Sequence, residues 1–233
     1  MTKQQLSIAN KAIVAVIIAA AVMAVVLQPT EKPEITGQAT AEVRLFVSGV
    51  TFGYNCNLTL IEGWNLISIP CRHTNATISL MLENITGYYQ SVHSYDANDQ
   101  EDQWKSFNPS LPVWVEQDLK VINSSRGYWI RISNKTSLNI TGTITLPSTI
   151  RLEPNWNLVG YPTNKSTSPE EAFLSINSSI ASVHAYNTTD NSDYWKVWAP
   201  SLSGSFNDLK LIVPYWGYWI NATAAADWTI LQN

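Results

Sequence analysis

SVHSYDANDQEDQWKSF at residues 91–107 returns as SVHAYNTTDNSDYWKVW at 182–198. From this pair the match spreads in both directions. Upstream, EGWNLI (62–67) answers EPNWNL (153–158); downstream, PSL (109–111) answers PSL (200–202), DLK (118–120) answers DLK (208–210) and GYWI (127–130) answers GYWI (217–220). Trp64 maps onto Trp156, His93 onto His184, Trp104 onto Trp195 and Gly127 onto Gly217, so gaps of one or two residues align the copies. A self-match at this spacing predicts two tandem structural units, over 58–146 and 150–233.

Short runs rich in Val, Ile, Trp and Tyr, bounded by Asn, Gly, Pro and Ser, read as strands. They fall at 64–69, 90–95, 103–107, 127–132 and 138–146, and again at 156–161, 181–186, 194–198, 217–221 and 227–231. One short helix interrupts each unit: ISLMLENI (78–85) in the first, and a segment opening Ser168-Pro169-Glu170-Glu171 in the second. There Ser168 is placed to cap, Pro169 suits the first turn and Glu171 completes a capping box. The fold class expected is mainly β: an N-terminal transmembrane helix followed by two tandem β-sandwich or barrel-like repeats, each with one short helix. The matched tryptophans, Trp64/Trp156, Trp104/Trp195 and Trp129/Trp219, are expected in the two small cores, because a unit of this size needs a few large buried anchors.

Ahead of the repeats, AIVAVIIAAAVMAVVL (12–27) is sixteen apolar residues with Lys3 and Lys11 before it and Glu31, Lys32 and Glu34 after it. As a helix it spans about 24 Å, close to a hydrocarbon core of about 30 Å once Ile8 and Ala9 are added. The lysines place the N-terminus in the cytoplasm and the rest outside. Residues 1–30 thus read as a signal anchor in the cytoplasmic membrane, with cleavage near Ala19-Ala20-Ala21 as the alternative. Residues 31–57 read as a linker and leading strand, the strand falling at 42–50 (EVRLFVSGV).

Composition agrees with export. Only 14% of the 233 residues are charged and the net charge is −4, so no basic excess exists to neutralise nucleic acid. The polar surface comes instead from 20 Asn and 43 Ser plus Thr. Ten of the asparagines start N-glycosylation sequons: Asn57, Asn75, Asn84, Asn123, Asn134, Asn139, Asn164, Asn177, Asn187 and Asn221. All lie beyond the apolar run, where glycans would be added. The two cysteines, Cys56 and Cys71, read as a disulfide in an exported chain, contributing about 3 kcal/mol for a loop of that length.

Chemistry is sparse. His93 and His184 each stand alone in an alternating strand and read as packed core residues; His73 has no counterpart. The loops Asp96, Asn98, Asp99, Glu101, Asp102 and Asn187, Asp190, Asn191, Asp193 could offer oxygens to Ca²⁺, but they lack the alternating spacing and glycine of an EF-hand and read as solvated turns. No nucleophile elbow, zinc motif or phosphate-cradling loop is present. No catalytic residue, metal ligand or cofactor is assigned, and the chain is read as a non-enzyme. Trp114 and the pair Tyr215-Trp216, which the repeat does not match, are the candidate binding residues for a sugar or protein partner.

The GWNLISIP start (63–70), the central Tyr-Asp…Trp-Lys segment and the closing GYWI resemble a repeat found in archaeal, and some bacterial, cell-surface and S-layer-associated proteins. The likeness covers about 58–221, with PNWNLVGYP and Tyr186-Asn187 as departures in the second copy. It implies an extracellular β-rich module and carries no catalytic residue. The expected function is a membrane-anchored, N-glycosylated structural protein of the cell surface, part of an envelope, S-layer-like lattice or appendage, self-associating or joined to other envelope proteins. A carbohydrate-binding or adhesion module and a pilin-like filament subunit are the alternatives.

Overall fold

The computed structural model describes residues 50–231 except 113 and 203. The apolar segment 12–27, the linker and the strand expected at 42–49 lie outside the described residues. Among the described residues no helix is long and apolar enough to cross a membrane.

The chain is mainly β, with several antiparallel sheets. Its first half runs β1 (Val50–Leu60), β2 (Gly63–Ser68), α1 (Ile78–Met81), β3 (Tyr89–Tyr95), β4 (Trp104–Phe107), β5 (Gly127–Ile132) and β6 (Thr136–Leu146). The same order follows in β7 (Ser148–Leu152), β8 (Asn155–Val159), α2 (Pro169–Ala172), β9 (Ile180–Tyr186), β10 (Trp195–Trp198), β11 (Tyr218–Ala222) and β12 (Ala226–Ile230). Each half has a four-stranded sheet, ordered β2-β5-β3-β4 or β8-β11-β9-β10, and a two-stranded one, β1-β6 or β7-β12. β1 pairs with β6 over all eleven residues, from Val50 with Leu146 to Leu60 with Thr136. Residues 50–57 are therefore strand bound into the first half, not linker, and β7 likewise opens the second half at 148.

The matched motifs have local causes. In the turn before β2, Asn65 Oδ1 accepts from the Ile61 N–H (3.1 Å) and Nδ2 donates to the Ile61 and Gly63 carbonyls (2.8 and 3.2 Å). Asn157 repeats this on Glu153 (2.8 and 2.7 Å) and Asn155 (3.0 Å). These turns need a left-handed residue, which is Gly63 (φ +94°) in one half and Asn155 (φ +76°) in the other. Asn tolerates that region better than most side chains, so the second copy dispenses with the glycine. In GYWI, Tyr128 is fully buried and its hydroxyl accepts from the Asn123 N–H (2.6 Å) and donates to the Asn123 carbonyl (3.2 Å). Tyr218 does the same with Val213 (2.7 and 3.0 Å). Ser168 caps α2, its hydroxyl accepting from the Glu171 N–H (3.3 Å) with Pro169 in the first turn. Cys56 on β1 is joined to Cys71 by a disulfide.

The core lies under the four-stranded sheets and against the helical segments. In the second half Trp228 is fully buried, stacks on Tyr161, packs at a tilt against Phe173, and donates its indole N–H to the Ala172 carbonyl (2.7 Å). Trp198 packs on Phe173 and donates to Glu170 Oε1 (3.0 Å). Both buried tryptophans are unmatched between the halves.

The halves meet reciprocally. An isolated antiparallel bridge joins Ile67 to Trp216, and its counterpart joins Arg126 to Val159. The Ser68 N–H donates to the Tyr215 carbonyl (2.7 Å), and the Gly160 N–H to the Ser125 carbonyl (2.9 Å). Since 67 answers 159 and 126 answers 216, the junction has the self-complementarity of a two-fold dimer interface built within one chain. It is tight enough to exclude side chains. A Cβ at Gly217 would fall 2.8 Å from the Ile67 carbonyl oxygen, and one at Gly127 would fall 2.9 Å from that of Val159.

Gly217→Ala is expected to lower stability by about 2 kcal/mol, the scale of forcing a methyl into a packed contact. Gly53→Ala, in open space on β1, serves as the control and is expected to change little. Urea unfolding midpoints of the two variants and the parent check this.

Candidate functional site

In a strand, alternate residues face opposite sides, and residues paired across a ladder share a face. That rule assembles the site. In the first sheet, Trp64 pairs with Arg131 and Leu66 with Trp129; Ser91 and His93 pair with Arg131 and Trp129; Tyr95 pairs with Trp104. All of these lie on the face opposite Val92, Ser94, Tyr128 and Ile130, which are buried. In the second sheet the same face carries Trp156 with Asn221, His184 and Leu158 with Trp219, and Tyr186 with Trp195.

The matched tryptophans are therefore not core residues. Trp64 is 40% exposed, Trp104 49%, Trp156 41% and Trp195 43%, while Trp129 and Trp219 are half-buried. The expectation of core anchors is corrected: the inward positions are held by Tyr128, Ile130, Tyr218 and Ile220, and alternation turns the intervening Trp outward. His93 and His184 are corrected in the same way. They are half-buried on this aromatic face.

The rings of one half reach the other. Trp129 packs on Tyr186 and Trp195 (centroids 5.1 and 6.0 Å), and Trp219 on Tyr95 and Trp104 (5.3 and 5.8 Å). All four contacts are tilted or edge-on, the favourable aromatic geometry, so the rings form walls at angles. Two open clefts result. One, of about 430 Å³, is lined by Trp64, His93, Trp104, Trp129 and Tyr186. Its counterpart, about 410 Å³, is lined by Trp156, His184, Trp195, Trp219 and Tyr95. Each takes four residues from one half and a tyrosine from the other.

At the wall of each cleft sits an imidazole beside an indole: His93 lies 5.7 Å from Trp64, and His184 lies 5.3 Å from Trp156. His93 Nε2 shares a hydrogen bond with Ser91 Oγ (3.1 Å), and His184 Nε2 with Ser182 Oγ (2.9 Å). Burial pulls both histidines below their ordinary value of 6.5, partly offset by the Asp118 and Asp208 carboxylates. Each ring is accordingly neutral at pH 7, able to donate at one nitrogen and accept at the other.

In the acidic loops the carboxylates are engaged by lysines. Lys105 Nζ binds Asp99 (2.7 Å) and Asp102 (3.0 Å), and Lys196 Nζ binds Asp190 (2.8 Å) and Asp193 (2.9 Å). No cluster of metal-ligating side chains is found among the described residues. Hydrogen bonding to the lysines holds Asp99 and Asp190 below the usual carboxylate range and raises Lys105 and Lys196. Each loop is thereby pinned across the hairpin that presents Trp104 or Trp195. The matched Lys in QWKSF and YWKVW was the sequence signal for this.

Of the three candidate binding residues, Trp114 is 81% exposed and lies away from both clefts' linings. Tyr215 and Trp216 are half-buried and packed against the core at the junction, where their backbone pairs with β2, and they line neither cleft. The sequons sit mostly elsewhere. Eight of the ten asparagines are exposed and Asn187 and Asn221 half-buried. Only Asn221 lies in a strand of the four-stranded sheets.

Depressed histidine values mean the unfolded chain takes up protons before the folded one does. Above pH 6.5 His93 and His184 do not affect stability; as pH falls below 6.5 through their folded values, stability is lost. Urea midpoints are expected to fall between pH 7 and 5, and the double variant His93→Gln/His184→Gln to flatten that fall. The lowered carboxylates act at lower pH, so the window reports the histidines. The chain matches no known family model, no curated protein and no solved structure.

Proposed function

We propose that this protein is a cell-surface carbohydrate-binding module whose ligand stacks in the two aromatic clefts. The observation that carries the reading is that all six repeated tryptophans line open clefts, with a neutral histidine in each. Water-facing indoles cost solvation unless they serve a contact, and a contiguous set of them marks an interaction surface. The clefts are of small-ligand size. A pyranose ring offers an apolar C–H face for an indole and a rim of hydroxyls for an imidazole and serine hydroxyls. A flat protein partner would leave those polar groups without a matched ring of hydroxyls.

Anchoring through residues 12–27 and N-glycosylation complete the proposal. The apolar run, the ten sequons and the Cys56–Cys71 disulfide support an extracellular site. Glycans on the exposed asparagines would solvate the β1-β6 sheet and the loops, leaving most of the aromatic face free. The resemblance to surface-layer repeats fits the same place, and a lattice or adhesive role would then act through bound sugars of the envelope. Two tandem β-sandwich-like units are the architecture that this reading assigns.

Binding of the full chain to an array of neutral and acidic oligosaccharides is the test. Trp64→Ala and Trp156→Ala are each expected to weaken binding at one cleft about tenfold, the loss expected for one stacking contact. Trp114→Ala is expected to leave binding unchanged. Binding that survives removal of both Trp64 and Trp156, or that vanishes with Trp114, would sink the proposal. Since Trp64 and Trp156 are well exposed, their loss is expected to leave the unfolding midpoint nearly intact.

A further inference from the structure

The five residues that line one cleft match the five that line the other, but the strand position beside the stacking indole does not. In the first, β5 sets Arg131 opposite both Trp64 and Ser91. In the second, β11 sets Asn221 opposite both Trp156 and Ser182. The register is the same, and so are the tryptophan, serine and histidine around it. One cleft has a permanent cation there and the other an uncharged amide.

Arg131 is exposed, and its guanidinium carbon lies 5.8 Å from the centre of the Trp64 ring, within the range of a cation–π contact. Among the described residues the arginine ion pairs join Arg126 to Asp96 and Arg151 to Glu153 and Asp227, and none of them involves Arg131. The carboxylate that influences this cleft through His93 is Asp118, and it is already committed, accepting from the Ser106 N–H at 2.6 Å. His93, neutral at pH 7, adds no charge. The chain as a whole carries −4, so an acidic ligand gains nothing from the general field and depends on a local cation.

Resting on the reading of the clefts as sugar sites, we infer that the first cleft takes a ring bearing a carboxylate, a uronic-acid residue of a polysaccharide, and the second an uncharged ring. The ring stacks on Trp64, and its carboxylate meets the planar fork of Arg131, which is suited to two parallel N–H···O bonds. In the second cleft Asn221 can bond a hydroxymethyl group or a ring hydroxyl but supplies no charge. The protein then distinguishes its two ligands by one side chain.

The test uses matched probes: oligomers of glucuronate, galacturonate and mannuronate, each set beside the oligomer of its parent hexose. Calorimetric titration of the full chain is expected to show at least one uronate oligomer binding about five- to tenfold more tightly than its neutral partner, with the preference shrinking as salt rises. Trp64→Ala removes that tighter site. Arg131→Gln abolishes the preference, bringing the uronate oligomer to the affinity of its hexose partner in the same variant. Asn221→Arg, which also removes the sequon, creates a second uronate site and raises the stoichiometry to two.

If no uronate oligomer outbinds its hexose partner, or if Arg131→Gln leaves the preference unchanged, the charge assignment is overturned while Trp-dependent sugar binding stands. If neither kind of oligomer binds in a way that Trp64→Ala or Trp156→Ala alters, the sugar reading falls and the assignment with it.

Discussion

The reciprocal junction at Gly127 and Gly217 is the constraint on which the site depends. Bare glycines let the start of β5 in one half come against the end of β8 in the other, and the start of β11 against the end of β2. Once the backbones are that close, the next residues follow from strand alternation. Tyr128 and Tyr218 turn inward, where their hydroxyls close the preceding loops. Trp129 and Trp219 turn outward and reach the tyrosine and tryptophan of the opposite half. Ile130 and Ile220 return to the core. Four letters, GYWI, thus encode close approach, loop anchoring, a cross-half ring contact and core packing in order.

The same constraint explains why the clefts are preorganised. Each cleft has walls from both halves, so its shape requires the junction to be intact. Its outer wall, Trp104 or Trp195, stands on a hairpin whose acidic loop is cinched by Lys105 or Lys196. These ion pairs are partly exposed and add little to global stability. Their consequence is local: they restrict the loop that positions an exposed ring, which would lower the ordering cost of the proposed binding.

The strands were largely readable because apolar runs and turn residues alternate clearly, and Ser168 with Pro169 marked the start of α2. The face of each strand is legible too, although the repeated tryptophans suggest the core and the structure turns them outward. Matching between repeats signals that a residue is required, without saying whether the core or a shared surface requires it. Period-two alternation carries the missing information: in SVHSY, buried Val92 and Ser94 interleave with His93 and Tyr95, and in GYWI Trp129 sits between two buried residues. The ladder then places Trp64, His93 and Trp129 side by side. The partnership across the halves was not readable, because it depends on how two sheets meet. β1 is obscured by its own polarity, since NCNLTL (55–60) offers only a few apolar residues and shows itself as strand by pairing with β6.

Divergence between the halves follows the same logic. Gly127 and Gly217, the buried turn amides and the cross-half ring contacts keep their chemistry, because a change at any of them disturbs both halves at once, whereas Ser125-Arg126 and Tyr215-Trp216 join the junction through their backbone and differ. Inner positions tolerate different fillings as long as volume is served, which is how Trp198 and Trp228 come to be buried in one half without counterparts in the other. The left-handed turn residue can be Gly63 or Asn155, since each satisfies the same backbone demand. Residue 131 and its partner 221 bear on none of these requirements. They point outward beside the indole, and neither the core nor the junction dictates their charge. A fold that pins nearly everything around such a position leaves it free to set what the adjoining surface attracts, and this is where the two clefts part.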